Sequence, residues 1–378
     1  MKFKASQTAA VMVAALALLG APWAQAEEGI TKGSIAVGQS ICLTGPGSSL
    51  SVPFHDGAKL YFDRVNAAGG VNGRKIDLVT LDDHGNAGLA TENTKKLLGE
   101  GVFSLFGYYG SPEVTAVYPM IKDSDTVLFA PMAAADEFHG ANYPNVYSIR
   151  PGYAEEAAAI ARHADTLGMA KKLAILHAND SESKAALDSA MRTMTSMGAN
   201  VVANASYQSG AVTGAVDKVL AATPQSILII GDANGAASVI RDLRAKAFRG
   251  PIYGFSNTGE SLLAEELGKE GAGVVVVRVV PKSNAPNIPV VRDLMQDAQA
   301  AKLGKTNVYM LEGYLAARAY TEALRRAGRE PTRAKFKQSL AKMADVSLGG
   351  FRVDFADERT GSKLVELSLI DSQGKVRE

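Results

Sequence analysis

Ser34–Gly57 reads SIAVGQSICLTGPGSSLSVPFHDG. An apolar run of strand character, SIAVGQSICL, ends in TGPGSS. A helical pattern follows in which Phe54, Ala58, Tyr61, Phe62 and Val65 share one face. Small, flexible, hydroxyl-bearing residues between a strand and a helix suit a backbone that must come close to something small and anionic. Free N–H groups at a helix start favour such a group.

The same unit recurs outward from this point. KIDLVTLDD, VFSLFGYYG and VLFAPM read as buried strands, separated by LATENTKKLLGEG and PEVTAVYPMIKDSD with apolar positions every three to four residues. Gly69, Gly70 and Gly101 stand where helix C-caps want glycine. This is βαβ repetition, and it implies a parallel sheet with helices on both faces. After YSIRPGY, where Pro151 and Gly152 break the pattern, the rhythm starts again with LAILHAND, NVVANASYQ, SILIIGD, PIYGFSN and GVVVVRVVP. The fold expected is therefore α/β, two doubly wound Rossmann-like lobes. The tail differs: three helical segments follow one another from Pro289. FRVDF and KLVELSLID then read as an antiparallel hairpin around ADERTGS. A tail of that kind would return to the lobes and tie them through several strands.

Composition narrows the function. Residues 1–26 carry Lys2 and Lys4, an apolar run too short to span a bilayer, and Ala24-Gln25-Ala26, which together read as a secretory signal peptide cleaved after Ala26. Without them, 38 basic residues face 39 acidic ones, so nothing marks a nucleic-acid or anionic-membrane partner. No stable membrane insertion is expected after processing, and the remaining 352 residues suit about two lobes. The single cysteine, Cys42, lies in the first strand and reads as a buried small hydrophobe.

Catalytic constellations are scarce. The five histidines (55, 84, 139, 163, 177) show no metal-ligand spacing, and no nucleophile elbow, phosphate loop or dinucleotide fingerprint is present. Neither an enzyme nor a cofactor is expected. Four strand ends share one property instead: TGPGSSLS, GYYGSPE, APMAAADE and HANDSES each lead from a strand into a helix or turn. In an open α/β sheet, ligands sit beyond the carboxyl ends of the strands. In GYYGSPEV, Ser111 suits a helix N-cap, Pro112 the first position and Glu113 the first turn. Tyr108 and Tyr109 offer an apolar wall, although at least one of them would only pack.

Together LTGPGSSL, VNAAGGVNGRKIDLVTLDD, LFGYYGSPE, FAPMAAADE, YSIRPGYAEE, LEGYLAARAYTEALRRAG and SLGGFRVDF resemble the leucine/isoleucine/valine-binding branch of the periplasmic substrate-binding proteins of ABC importers. The resemblance covers essentially the whole chain after residue 26. It implies the type I periplasmic-binding fold: two lobes joined by a three-strand hinge, closing on one small ligand that a membrane permease then receives. The crossovers would lie near Tyr147–Pro151, Val277–Pro281 and Ser347–Gly350. Residues 27–149 plus 281–348 would form one lobe and 150–280 plus 349–378 the other.

The resemblance also implies a pocket. Ser111 would take the ligand carboxylate. Met132, Ala133 and Ala134 would supply backbone donors, alanine standing at 134 where amino-acid binders have threonine. Ser48, Ser49 and Leu50 come from the first loop, Tyr153 from the wall, and Glu155 falls where an acid commonly meets the ammonium group. In the second lobe this chain departs from the pattern. Glu182 replaces a stacking aromatic residue, Asp232 a tyrosine, and Ser256 or Asn257 a ligand-binding glutamate. Glu182 and Asp232 are either ligand contacts or solvated rim residues. The function implied is a periplasmic receptor for an amino acid or related carboxylate. A sensory module, or a binder of other carboxylates such as aromatic ones, is the alternative.

Overall fold

The computed structural model describes residues 27–377, with 209 and 357 excepted, and the expected leader lies outside them. Ser34–Ile41 (β1) and Lys75–Asp82 (β2) run parallel, Ser34 beside Lys75 and Ile41 beside Asp82. Ser104–Phe106 (β3), Leu128–Phe129 (β4) and Val146–Tyr147 (β5) complete a five-stranded parallel sheet ordered β2-β1-β3-β4-β5. The strand order reverses between β1 and β3, and a crevice opens at such a switch point. Helices α1 (Ser48–Ala67), α2 (Ala87–Gly99) and α3 (Ser111–Val117) start from the strand ends around it.

The second sheet repeats this plan. Leu173–Ala178 (β6), Val201–Tyr207 (β7), Ser226–Ile230 (β8), Ile252–Gly254 (β9) and Val274–Arg278 (β10) are parallel neighbours in the order β10-β9-β8-β6-β7. All five residues of β8 and all five of β10 are buried. Their near-continuous apolar sequences follow, since a parallel strand is covered on both faces. Helices α4 (Tyr153–Thr166), α5 (Ser181–Ser196), α6 (Thr213–Leu220), α7 (Ala233–Ala245) and α8 (Glu260–Leu267) flank this sheet.

The late helices α9 (Pro289–Ala300), α10 (Val308–Ala327) and α11 (Arg333–Ala341) return to the first lobe. There α10 lies directly on α1. A Cβ on Gly57 would sit 1.9 Å from the Met310 carbonyl oxygen, and one on Gly313 would sit 1.9 Å from that of Phe54. Only glycine at both positions permits this approach. Beside the contact, Phe62, Phe106, Phe129 and Phe336 surround Tyr320 at centroid distances of 5.0–6.0 Å. Each such ring stabilises the lobe by roughly 1.5–3 kcal/mol through burial.

The chain crosses between lobes after β5 and again after β10, and the tail is organised differently from the hairpin read in the sequence. FRVDF does not pair with KLVELSLID. Val346–Ser347 (β11) and Arg352–Val353 (β12) form the hairpin, turning through Gly349 and Gly350, both at positive φ. A Gly-Gly pair of that kind suits a two-residue hairpin turn. Leu348, Phe351, Val353 and Phe355 then pack into the first lobe. The third crossing runs through 359–361, where the Ser148 amide donates to Arg359 and the Gly361 amide donates to Ser148. Glu366–Ile370 (β13) joins β10 antiparallel, and Val376–Arg377 (β14) adds beyond it.

Candidate functional site

Several strand-end loops face one another across the space between the lobes. They enclose a cleft of about 390 Å³ lined by both lobes. A hollow of about 730 Å³ lies beside His163, Arg244 and Val275, but only second-lobe residues line it. Of the two, the cleft alone is lined by both lobes.

At its centre Glu182, in the first turn of α5, reaches from the second lobe to the first. One carboxylate oxygen accepts from the Ser111 amide at 2.6 Å. The other accepts from the Ser111 hydroxyl at 3.1 Å and from the Tyr153 hydroxyl at 2.5 Å. Ser111 Oγ in turn accepts from the Ala135 amide at 3.2 Å. Glu182 thus occupies the Ser111 donors that the resemblance assigns to a ligand carboxylate. Burial pushes the Glu182 carboxyl above its ordinary range, while the hydrogen bonds from Tyr153 and Ser111 pull it back.

Glu113 faces the same space. It sits in the first turn of α3, is 6% exposed, and bends back over Gly110, where a Cβ would lie 2.0 Å from its carboxylate. Gly110 at φ +95° makes room for that bend. Burial, opposed by its own backbone amide and reinforced by Asp83 and Glu182, pushes the Glu113 carboxyl up to about 7. Asp180 and Asp232 also line the cleft and cap α5 and α7, accepting from the Ser183 and Gly235 amides at 2.7 and 2.8 Å. Four acids line it, and among the described residues no lysine, arginine or histidine does.

The remaining expected residues divide. Leu50 and Tyr109 line the cleft. The Tyr109 ring lies where a Cβ on Gly47 would meet it at 2.3 Å. Tyr108 is fully buried behind it, with its hydroxyl 2.9 Å from Thr94 Oγ1, and belongs to the packing. Ser48 donates to the Gly45 carbonyl of its own loop, and Ser49 is exposed. Met132, Ala133 and Ala134 are buried beneath the site, and Ala134 accepts from the Tyr153 amide at 2.9 Å. The Tyr153 ring stacks on Phe255 at 5.4 Å. Glu155 caps its helix by accepting from the Gly152 amide at 3.1 Å and is exposed. The buried acid is its neighbour Glu156. It accepts from the Ser256 amide and hydroxyl, each at 2.8 Å, which commits Ser256 to the floor. Asn257 lines the cleft, and its buried Oδ1 has no partner among the described residues.

Beneath the floor, the Arg150 guanidinium lies 3.3 Å from Glu156 of the second lobe and 3.3 Å from Glu312 on α10 of the first. Sequence reasoning missed this trio and the cleft-facing role of Glu113. The signals available were an arginine inside an apolar crossover and a glutamate in a helix whose face points at a ligand loop. Among the described residues no helix is long and apolar enough to cross a membrane. No trio of His, Cys, Asp or Glu is placed to hold a metal there either.

A family described as periplasmic binding protein matches residues 34–371. The Leu/Ile/Val-binding protein BraC3 of Rhizobium johnstonii is 27% identical over 195 residues, 52% of this chain and 51% of that one. The chemotactic signal transduction system substrate-binding protein BasB of Halobacterium salinarum is 25% identical over 229 residues, 58% of this chain and 55% of that one. The chain thus spans about half the length of the curated relatives it matches. The crystal structure of a substrate-binding periplasmic protein from Ralstonia solanacearum, 29% identical, superposes with a TM-score of 0.82 over 91% of this chain and 99% of that one.

Proposed function

The chain belongs to the periplasmic binding protein family, and we propose that it is an exported solute receptor that closes on one small ligand and presents it to the permease of an ABC importer. The observation that carries this reading is the cleft itself. Its walls come from both lobes, and polar groups of one lobe bond to a side chain of the other at its centre. Three crossings behind such a cleft permit hinge closure, the motion for which this class of proteins is a standing example. The ligand class suggested by sequence is an amino acid or related carboxylate. A ligand bringing its own carboxylate to Ser111 must first displace Glu182.

Ligand that binds only the folded protein stabilises it by RT ln(1 + [L]/Kd), about 2.7 kcal/mol at a hundredfold excess over Kd. A thermal-shift screen of protein that has been unfolded and refolded to strip carried-over solute, paired with solution scattering, tests the reading. A stabilising solute that also compacts the protein supports it, and a broad panel without effect removes it. A sensory role uses the same cleft with a different reader, and the likeness to a chemotactic substrate-binding protein favours keeping it. Uptake lost on deletion of the chain, with taxis retained, would decide for transport.

A further inference from the structure

We propose that the ligand of this cleft is a small organic cation, an amine or guanidine with no carboxylate of its own. The proposal rests on the solute-receptor reading and names the class of solute.

Three observations converge on it. First, the strongest anion-binding donors in the cleft are already committed. The Ser111 amide, the Ser111 hydroxyl and the Tyr153 hydroxyl all donate to Glu182, which stands where an incoming carboxylate would have to sit. Second, the groups left over are acceptors. Glu113 is 6% exposed, faces the cleft, and among the described residues has only its own backbone amide as a donor. Asn257 Oδ1, in the same lining, is buried and has no partner among the described residues. A buried acceptor with no partner calls for a donor from the ligand. Third, the charge on the walls has one sign. Glu113, Asp180, Glu182 and Asp232 line the cleft without a cationic side chain among them. The Arg150 guanidinium lies below the floor and is held by Glu156 and Glu312. Tyr109 and Tyr207, also in the lining, supply rings whose faces attract a cation.

Matched probes separate the charges. Titration calorimetry on the refolded full chain would use leucine, 3-methylbutylamine and 4-methylpentanoate as one set. Arginine and agmatine would form the second, with putrescine added. The expected result is saturable binding of an amine or guanidine, no binding of its carboxylate-only counterpart, and at least tenfold weaker binding of the zwitterion. Glu113→Gln is expected to lower the affinity for the cation at least tenfold while the ligand-free thermal midpoint holds or rises. Glu182→Ala frees the Ser111 donors and should close most of the gap between zwitterion and cation. Binding of a carboxylate without an amine, or equal binding of zwitterion and cation by the unmodified protein, overturns the cation class and leaves the receptor reading standing. No binding or compaction with any probe or with the broader solute panel overturns both.

Discussion

The Glu312 carboxylate and the Arg150 guanidinium meet at 3.3 Å where the chain first crosses between the lobes, with the residues 2% and 4% exposed. Burial pushes the Glu312 carboxyl up and Arg150 pulls it down, and the same opposition acts on Glu156. Arg150→Met leaves two buried carboxylates without their counter-ion, a loss of about 3–5 kcal/mol. Both carboxyls then favour their protonated forms in the folded state, so the loss deepens as pH rises above their unfolded range. Urea unfolding at pH 5 and pH 8 would show the larger deficit at pH 8. Equal deficits would mean that Arg150 acts through packing alone. The triple change with Glu156→Gln and Glu312→Gln should recover much of the stability.

Ser111 and Glu182 connect the lobes across the cleft. Ser111→Ala removes a donor to Glu182 and an acceptor for the Ala135 amide. Each hydrogen bond is worth about 1 kcal/mol, and more where one partner is charged. The ligand-free protein should therefore open, giving a larger radius of gyration in solution scattering. Glu182→Ala should open it further, because both bonds from Ser111 across the lobes are lost. Unchanged scattering for both variants would show that closure does not depend on this contact.

Glu113 should give the ligand-free protein a pH dependence of its own. Its carboxyl is raised from 4.5 to about 7, chiefly by burial. The folded state therefore holds this proton more tightly than the unfolded chain does. The contribution is complete below pH 4.5 and is lost as pH climbs through 7, a change of up to about 3 kcal/mol. Glu113→Gln should remove that part of the slope, and denaturant midpoints from pH 4 to 8 measure it. If the ligand is a cation, binding between pH 5 and 7 should also release a proton, visible as a buffer-dependent heat.

Local signals made the architecture legible. Apolar runs alternating with helical spacing mark β1 to β4 and β6 to β10, and the glycine-capped helices between them imply parallel pairing. Which strands pair late in the chain was not legible. FRVDF has the pattern of a strand, but period-two spacing does not name a partner, and the turn that mattered was Gly349-Gly350 rather than ADERTGS. Within the site, Tyr108 and Tyr109 point to opposite sides, so one had to pack and one could face the cleft. Sequence alone does not say which. Glu155 and Glu156 differ by one step around a helix, about 100°, which separates an exposed cap from a buried ion pair. The bonds of Glu182 join residues 71 and 29 positions away, and no local pattern encodes such distances.

The contact between α1 and α10 offers a test of the first lobe independent of the cleft. Gly57 and Gly313 let the two helices touch backbone to backbone, and at either position a methyl group would fall 1.9 Å from a carbonyl oxygen. Backbone cannot rotate aside as a flexible side chain can, so the helices must separate along part of their length. That separation loosens the packing of Phe54, Leu311 and Tyr314, all fully buried. Overpacking of this kind costs about 1–3 kcal/mol, and a backbone clash lies at the upper end. Gly57→Ala and Gly313→Ala should each lower the unfolding midpoint. The double variant should cost less than their sum, because one separation relieves both clashes. Additive losses would instead mean that the two glycines are accommodated independently.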